Sequence, residues 1–432
     1  MSPAVMSLIL IGGLILLLAL GSEIYVAMGV VAAIGLIIFV GQPLKQFAFT
    51  AFDVMNSFEM TAVPLFVFMG AIFFSTGVIR NLFNGANKLI GIVPGGVAAS
   101  VLGANGIFGA ISGSSLAAVA TFGKIAYPEM ERLGYDPKLA LGSLAIGGTL
   151  SQLIPPSLIL IVYGGWQSLS VARLFAAALV PGIILTILLI FTVILMVLIK
   201  PNLAPAPLKV SWHERLRAFL DLIPFLVIIT FVLGAVFSGI MTPTESAAIG
   251  AALSILLAAA YRSMSWAALK ESMWQAVKVA SMIALIIFTA RVLAQVFNYI
   301  GLTDAFSTFM IGLPMGRHGI LVIICLMYII MGMFLDSLSM MVLTLPFVGP
   351  LMSDLGFNPV WFGVVFTILT QVGLVTPPFG LNLFVLQSVV PSQDIMTIAK
   401  GCMPFLVAPL VVILLLVLAP EISLWLPKLM FG

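Results

Sequence analysis

Apolar runs of membrane-spanning length follow one another along the chain, at about residues 4–20, 24–40, 61–77, 97–123, 139–165, 174–199, 222–240, 245–260, 279–298, 319–348, 360–387 and 402–420. A helix rising 1.5 Å per residue needs roughly 20 such residues to cross about 30 Å of hydrocarbon. Two runs depart from the simple pattern. Residues 97–123 contain "NGIFGAISGSSLAA" and 319–348 contain "MGMFLDSLSMM", small or polar residues in the middle of an apolar stretch. They predict re-entrant hairpins that enter and leave on one side. Two other runs hold consecutive prolines, in "GTLSQLIPPSLIL" and "TQVGLVTPPFGLN". Proline removes a backbone donor and clashes with the preceding turn, so each pair predicts a helix broken into two halves. The pattern therefore predicts an all-α polytopic membrane protein with ten crossings, two of them broken, and both termini outside.

Composition agrees with the pattern. The chain is 62% hydrophobic and 8% charged, with a mean hydropathy of +1.26, more apolar surface than a soluble fold could bury. The net charge of +3 says little about partners; the placement of the cations says more. The longest polar interruption, "KPNLAPAPLKVSWHERLRAFLD" from Lys200 to Asp221, carries Lys200, Lys209, Arg215 and Arg217 and is assigned to the cytoplasm. With that orientation 13 of the 18 Lys and Arg fall inside, four fall outside, and Arg291 lies within a span. The first run lacks a basic segment before it and reads as a retained span rather than a cleaved signal. Cys325 and Cys402 lie in or beside apolar segments, so no disulfide framework follows.

The chain repeats itself at an offset of 222 residues. "GYDP" (Gly134 to Pro137) lies on "GFNP" (Gly356 to Pro359), Pro155-Pro156 on Pro377-Pro378, Ser115-Leu116 on Ser337-Leu338, and Pro128 on Pro350. Ten of 42 positions between Ser115 and Pro156 are identical at this offset without a gap. Glu23 and Glu245, each opening an apolar span, obey the same register and are read as helix N-terminal caps. The repeats are residues 1–199 and 222–432, joined by the connector 200–221. Five crossings each, an odd number, would insert the second upside down, an arrangement characteristic of secondary transporters with a midplane site on broken helices.

The prolines also suggest chemistry. The carbonyls of Gly148, Ser151 and Ile154 are expected to be freed near the bilayer centre, where an unsatisfied group costs several kcal/mol. A cage of carbonyls and hydroxyls suits a dehydrated monovalent cation, and the first hairpin brings Ser112, Ser114 and Ser115 to the same depth. In the second half Gly373, Val375 and Thr376 stand opposite Asp336, Ser337 and Ser339. Helix N-termini just after each proline pair suit an anionic substrate. There is no Walker sequence, no nucleotide- or nucleic-acid-binding pattern and no large cytoplasmic domain, so ATP drive is excluded.

"GAISGSSLAAVATFGKIAYPEMERLGYD", "GTLSQLIPPS", "MTPTESAAIGA", "MGMFLDSLSMMVLTLPFVGP" and "TPPFGLNLF" occur in order along the whole chain. Together they closely resemble the large membrane subunit, DctM- or SiaM-like, of TRAP (tripartite ATP-independent periplasmic) transporters. The resemblance implies a sodium-driven, elevator-type importer of an organic acid in the bacterial inner membrane. It further implies a soluble periplasmic substrate-binding protein and a small four-helix membrane subunit as partners. The transport domain would comprise residues 94–165 and 314–387, with the other spans as scaffold. One sodium site would use Ser112 and Ser115 with the backbone around Ser151, Ile154 and Pro156. The other would use Ser337 and Ser339 with Gly373, Thr376 and Pro378. Family members often carry glycine where this chain has Ser151, a change that a carbonyl ligand survives. Substrate is expected near Ser112, Ser114, Ser157, Asp336 and Asn382.

Arg291, a charge within a span, could meet a substrate carboxylate or pair with Glu59, Asp304 or lipid phosphate. The segment from Met264 to Lys278 predicts an amphipathic interfacial helix with Trp266 and Trp274 at headgroup depth, and Gln42 to Asn56 is its counterpart. His213 and His318 lie in loops on opposite sides, so no metal site beyond sodium follows. An intramembrane enzyme would need His, Cys or paired carboxylates converging at depth, which the chain does not offer. The alternatives are an ion-coupled dicarboxylate carrier that needs no binding protein, and a channel, since broken helices also line filters.

Overall fold

A computed structural model of the chain describes residues 3–41 and 45–432. The described residues form helices joined by short turns, and no strand occurs among them. Eight helices are long and apolar enough to cross a membrane, and five shorter apolar helices accompany them.

The motif shared by the two halves has a local physical meaning. The helix Ser115–Arg132 ends at Gly134, whose φ of +80° suits glycine. Tyr135 N then donates to Met130 O at 3.0 Å and Gly134 N to Glu131 O at 3.0 Å. Asp136 caps the next helix by accepting from Lys138 N (2.9 Å) and Leu139 N (3.3 Å), and Pro137 takes the first helical position. The second half builds the same junction. Gly356 has φ +75°, Phe357 N donates to Met352 O at 2.9 Å, and Asn358 caps Pro359–Leu374 through Val360 N (2.9 Å) and Trp361 N (3.3 Å). "GYDP" and "GFNP" thus each stop one helix and start the next.

Each junction joins a helical hairpin to a broken helix. The first hairpin is Gly96–Ser112 and Ser115–Arg132, and the first broken helix is Pro137–Leu153 followed by Leu158–Gln167. The second hairpin is Arg317–Gly332 and Ser337–Asp354, and its broken helix is Pro359–Leu374 followed by Leu381–Val389. Both Pro-Pro bonds at the breaks are cis. Burial sets the first broken helix apart from the outer spans. The most apolar window of Pro137–Gln167 is 94% buried inside the protein, against 28% for Val171–Ile199. A helix hydrophobic all round and enclosed on all sides belongs to the interior, whereas one exposing apolar residues belongs at the lipid surface.

Hydropathy alone did not reveal several helices. Ile79–Ile90, Leu302–Ile311, Ile395–Cys402 and Glu421–Phe431 are too short or too amphipathic to stand out as apolar runs. The connector 200–221 is also only partly a connector. A helix begins at Trp212, where Ser211 and Glu214 cap each other's backbone N–H groups, and continues to Phe237. The interfacial segment from Met264 to Lys278 is corrected in the same way. It is the first part of a single 34-residue helix, Trp266–Tyr299, because no proline or glycine interrupts it. At roughly 50 Å that helix outruns the bilayer core, leaving Trp266 and Trp274 on its protruding end. Its counterpart in the first half does break, into Lys45–Met55 and Phe58–Ser75. Residues 42–44 of the expected Gln42–Asn56 helix lie outside the described residues.

Candidate functional site

The two hairpin tips and the two helix breaks meet. At the first tip Gly113 has φ +60°, and a Cβ there would sit 3.0 Å from the Pro156 carbonyl oxygen and 3.2 Å from Leu158 N. At the second, Gly380 N beyond the break donates to Met333 O in the tip at 2.9 Å. A cavity of about 440 Å³ lies between them. Ser114 and Ser115 line it from the first tip, Gln152 from the first break, and Asp336, Ser337 and Ser339 from the second tip. Its opposite wall is Val279, Met282, Ile283 and Ile286 of the long helix, with Glu23 at the start of helix Ile24–Ile34.

The hydroxyls and amides around this cavity form cross-links between the halves. Ser115 Oγ donates to Asn382 Oδ1 at 3.2 Å and accepts from Asn382 Nδ2 at 2.9 Å, and that Nδ2 also donates to Ala145 O at 3.3 Å. Ser337 Oγ donates to Gln152 Oε1 at 3.3 Å, and Gln371 Nε2 donates to the same oxygen at 2.5 Å. Asp336 caps the helix Ser337–Asp354, its Oδ2 accepting from Leu338 N (3.0 Å) and Ser339 N (3.2 Å). Ser114 caps Ser115–Arg132 by accepting from Ala117 N at 3.4 Å.

Other expected site residues take supporting places. Ser157 is fully buried; its hydroxyl donates to the Gln152 carbonyl and accepts from Leu160 N at 3.4 Å, so it caps the second half-helix and does not line the cavity. Asn382 is fully buried behind Ser115 and is likewise absent from the lining. Ser112 faces the other way. A Cβ on Gly70 of helix Phe58–Ser75 would fall 2.8 Å from Ser112 Cα, and Ser112 lines a separate cleft of about 100 Å³ that Ser114 shares. Ser151 donates to Asn105 O at 3.1 Å, and Ile154 and Pro156 are buried with it at the break. Thr376 donates to Val372 O at 2.6 Å, and Pro378 is exposed.

The carbonyl inventory needs two corrections. Pro155 and Pro156 deprive Ser151 and Gln152 of their i+4 donors, but Gly148 is four residues before Gln152, inside the unbroken Pro137–Leu153 helix. The prolines therefore do not free the Gly148 carbonyl. The Gly373 carbonyl accepts Thr376 N at 3.1 Å, which leaves it one further lone pair. Glu23 also differs from expectation: it occupies an N-cap position without a side-chain cap bond and borders the cavity instead. Glu245 does cap, in a reciprocal pair with Thr242.

Arg291 is the largest correction. It is absent from the cavity lining, and its ion pair is with Asp53 rather than with Glu59 or Asp304. Nη1 donates to Asp53 Oδ2 at 2.9 Å, Nη2 donates to Gly165 O at 2.8 Å, and the guanidinium lies 5.9 Å from the Trp166 ring centre. It thus ties the long helix to the end of the first broken helix, next to a polar seam in which Gln295 meets Gln46 (3.1 Å) and Thr50 (3.4 Å). The Asp53 side chain is 71% exposed, and such a pair contributes about 0–1 kcal/mol. The bond to the Gly165 carbonyl carries more, about 1.5–3 kcal/mol for a charged donor. Arg291→Ala should therefore lower the melting temperature clearly more than Asp53→Asn does; equal losses would assign the effect to the ion pair.

Sequence reading missed Gln152, Gln371 and Asn105. Asn105 Oδ1 and Gln371 Oε1 are buried without a hydrogen-bond partner beside the broken helices. The available signal was an amide inside an apolar run, as in "SQLIPP".

Residues 11–422 match the family model of the tripartite ATP-independent periplasmic transporter, DctM component. The C4-dicarboxylate TRAP transporter large permease protein DctM of Pseudomonas aeruginosa is 31% identical over 403 residues, 93% of this chain and 94% of that protein. The sialic acid TRAP transporter large permease protein SiaM of Vibrio cholerae is 28% identical, covering 88% of each chain. In fold, the Alcanivorax borkumensis YdaH transporter matches with a TM-score of 0.60 at 14% identity, over 91% of this chain and 89% of that one.

Proposed function

The chain belongs to the DctM component family of tripartite ATP-independent periplasmic transporters, and from that premise we propose that it is the large permease subunit of a sodium-coupled, elevator-type importer of an organic carboxylate. The observation that carries this reading is the convergence of two hydroxyl-bearing hairpin tips and two proline-broken helices on one cavity. Sodium takes Ser115 with the backbone at Ser151, Ile154 and Pro156, and a second sodium takes Ser337 and Ser339 with Gly373, Thr376 and Pro378. Substrate sits in the cavity against Ser114 and the capped helix starts at Ser115 and Ser337. Asn382 and Ser157 support it from behind, and Asp336 serves through its cap.

Charge orders the events. Two carboxylates, Glu23 and Asp336, border the cavity, and no Lys or Arg does. An anion entering alone meets like charge there. Bound cations reverse that sign, so sodium precedes substrate. The movement carries residues 94–165 and 314–387 as one body past the remaining spans, the two inverted repeats 1–199 and 222–432 providing both faces. The protein works in the inner membrane with both termini periplasmic, beside a small membrane subunit and a soluble binding protein.

Proteoliposomes containing this subunit and its small partner test the proposal, with C4-dicarboxylates and sialic acids as trial substrates. Uptake should require both an inward sodium gradient and the soluble binding protein. Uptake without the soluble protein would replace this reading with an independent carrier, and substrate-free currents would replace it with a channel.

A further inference from the structure

The candidate ion-site serines each hand their proton to the opposite half of the chain. Ser337 Oγ donates to Gln152 Oε1 at 3.3 Å, across 185 residues. Ser115 Oγ donates to Asn382 Oδ1 at 3.2 Å, across 267 residues. Neither amide has an equivalent in the repeat, since the positions 222 away from Gln152 and Asn382 are Leu374 and Leu160. The arrangement is therefore a tertiary feature added to the repeat, and it is built twice.

A hydroxyl that ligates a cation must point its lone pairs at the ion and its hydrogen elsewhere. The acceptor that receives the hydrogen decides whether the hydroxyl is oriented for the ion before it arrives. Gln152 is well placed for this at the second tip. Its Oε1 also accepts from Gln371 Nε2, which leans on the amide from the second broken helix and holds it in place. At the first tip Asn382 is fully buried; its Nδ2 donates to Ala145 O at 3.3 Å and to Ser115 Oγ at 2.9 Å, which leaves that hydroxyl one further lone pair for an ion.

The wiring is crossed. Gln152 belongs to the first break, next to Ser151 and Pro155, yet it orients the serine of the second tip. Asn382 follows the second break, yet it orients the serine of the first tip. We infer that Gln152 and Asn382 are positioning residues that couple the two sodium sites, so that ordering either break around its ion prepares the other site's hydroxyl. This rests on the sodium reading proposed above. Occupancy of one site should then raise the affinity of the other, and sodium binding should be cooperative.

Removing the supporting group of a metal ligand typically lowers affinity 10–100-fold. The test titrates sodium against potassium at constant ionic strength on the full chain in lipid nanodiscs, reading melting temperature. The native chain should give a sodium Hill coefficient above 1. Gln152→Met should raise the half-saturating sodium concentration at least tenfold and bring the coefficient to about 1. Gln152→Glu, which keeps the accepting oxygen and nearly the same volume, should retain cooperativity; it also covers the case in which the methionine variant does not fold. Asn382→Leu and Asn382→Asp form the parallel pair for the first tip. If Gln152→Met and Asn382→Leu titrate like the native chain while Ser115→Ala and Ser337→Ala lose the sodium response, the coupling falls and the sodium sites stand. Loss of cooperativity in Gln152→Glu as well would also overturn it, since the oxygen alone is assigned the role. If the native chain and the serine variants all melt alike in both salts, the sodium reading itself fails.

Discussion

Alanine at Ser115 or Ser337 should abolish most of the extra stability that sodium confers over potassium, and with it sodium-driven uptake. A ligand binding only the folded protein adds RT ln(1 + [L]/Kd), about 2.7 kcal/mol at 100 times its dissociation constant. Two occupied sites would add roughly twice that. The comparison must be between salts, because Ser337→Ala also removes one native hydrogen bond and Ser115→Ala two, each worth about 1 kcal/mol in any salt. Gln152 Oε1 keeps Gln371 after Ser337→Ala, whereas Ser115→Ala leaves Asn382 only its Nδ2 bond to Ala145 O and its buried Oδ1 without a partner, a cost of about 1–3 kcal/mol. In potassium Ser337→Ala should therefore melt close to the native chain and Ser115→Ala a few degrees below it. In sodium each should fall several degrees further below the native chain than it does in potassium, and tracer uptake should drop to background. Equal melting of all three proteins in both salts would remove the cation from the broken helices and leave protons, beginning with Asp336, as the coupling ion.

Alanine at Gly373 should do greater structural damage than any loss of a polar contact. The second hairpin crosses the second broken helix backbone against backbone. A Cβ on Gly373 would lie 2.5 Å from Gly332 Cα, and one on Gly332 would lie 2.9 Å from Gly373 Cα. No flexible side chain is available to yield, so the helices must separate along a junction that also forms the candidate site. Overpacking typically costs 1–3 kcal/mol and occasionally more, and small residues at helix crossings in membranes permit close packing of this kind. The first half solves the same problem with the roles exchanged. There Gly109 takes the crossing, with its Cβ position 2.6 Å from Ser151 Cα, and that frees Ser151 to carry a side chain where the repeat has glycine. Gly234 is the control, for a Cβ there meets nothing within 4 Å. Gly234→Ala should melt at or slightly above the native temperature, by up to about 1 kcal/mol of helix propensity. Gly373→Ala and Gly332→Ala should lose at least about 2 kcal/mol and all uptake; native-like melting of either would show that the crossing has slack.

Much of this was legible before any coordinates. "GYDP" and "GFNP" could be read directly because a positive-φ glycine, an Asx cap and a first-turn proline act within a few residues of one another. The proline pairs marked their breaks for the same reason. Ile79–Ile90 escaped because Asn81, Asn84, Asn87 and Lys88 dilute its hydropathy although one face is buried. Arg291 was noticed but misassigned. Its charge identified it as exceptional, while its partners Asp53 and Gly165 lie 238 and 126 residues away.

Hydrophobic period, helix punctuation and the repeat are written along the chain because they depend on neighbours within a turn or two, and they alone established an all-helical membrane protein with two hairpins and two broken helices. Which serine turns into the cavity and which turns away, and which amide holds which hydroxyl, were decided only when the halves packed together. Those choices depend on side chains separated by 185 to 267 residues in sequence and about 3 Å in space, and no local pattern encodes such a distance.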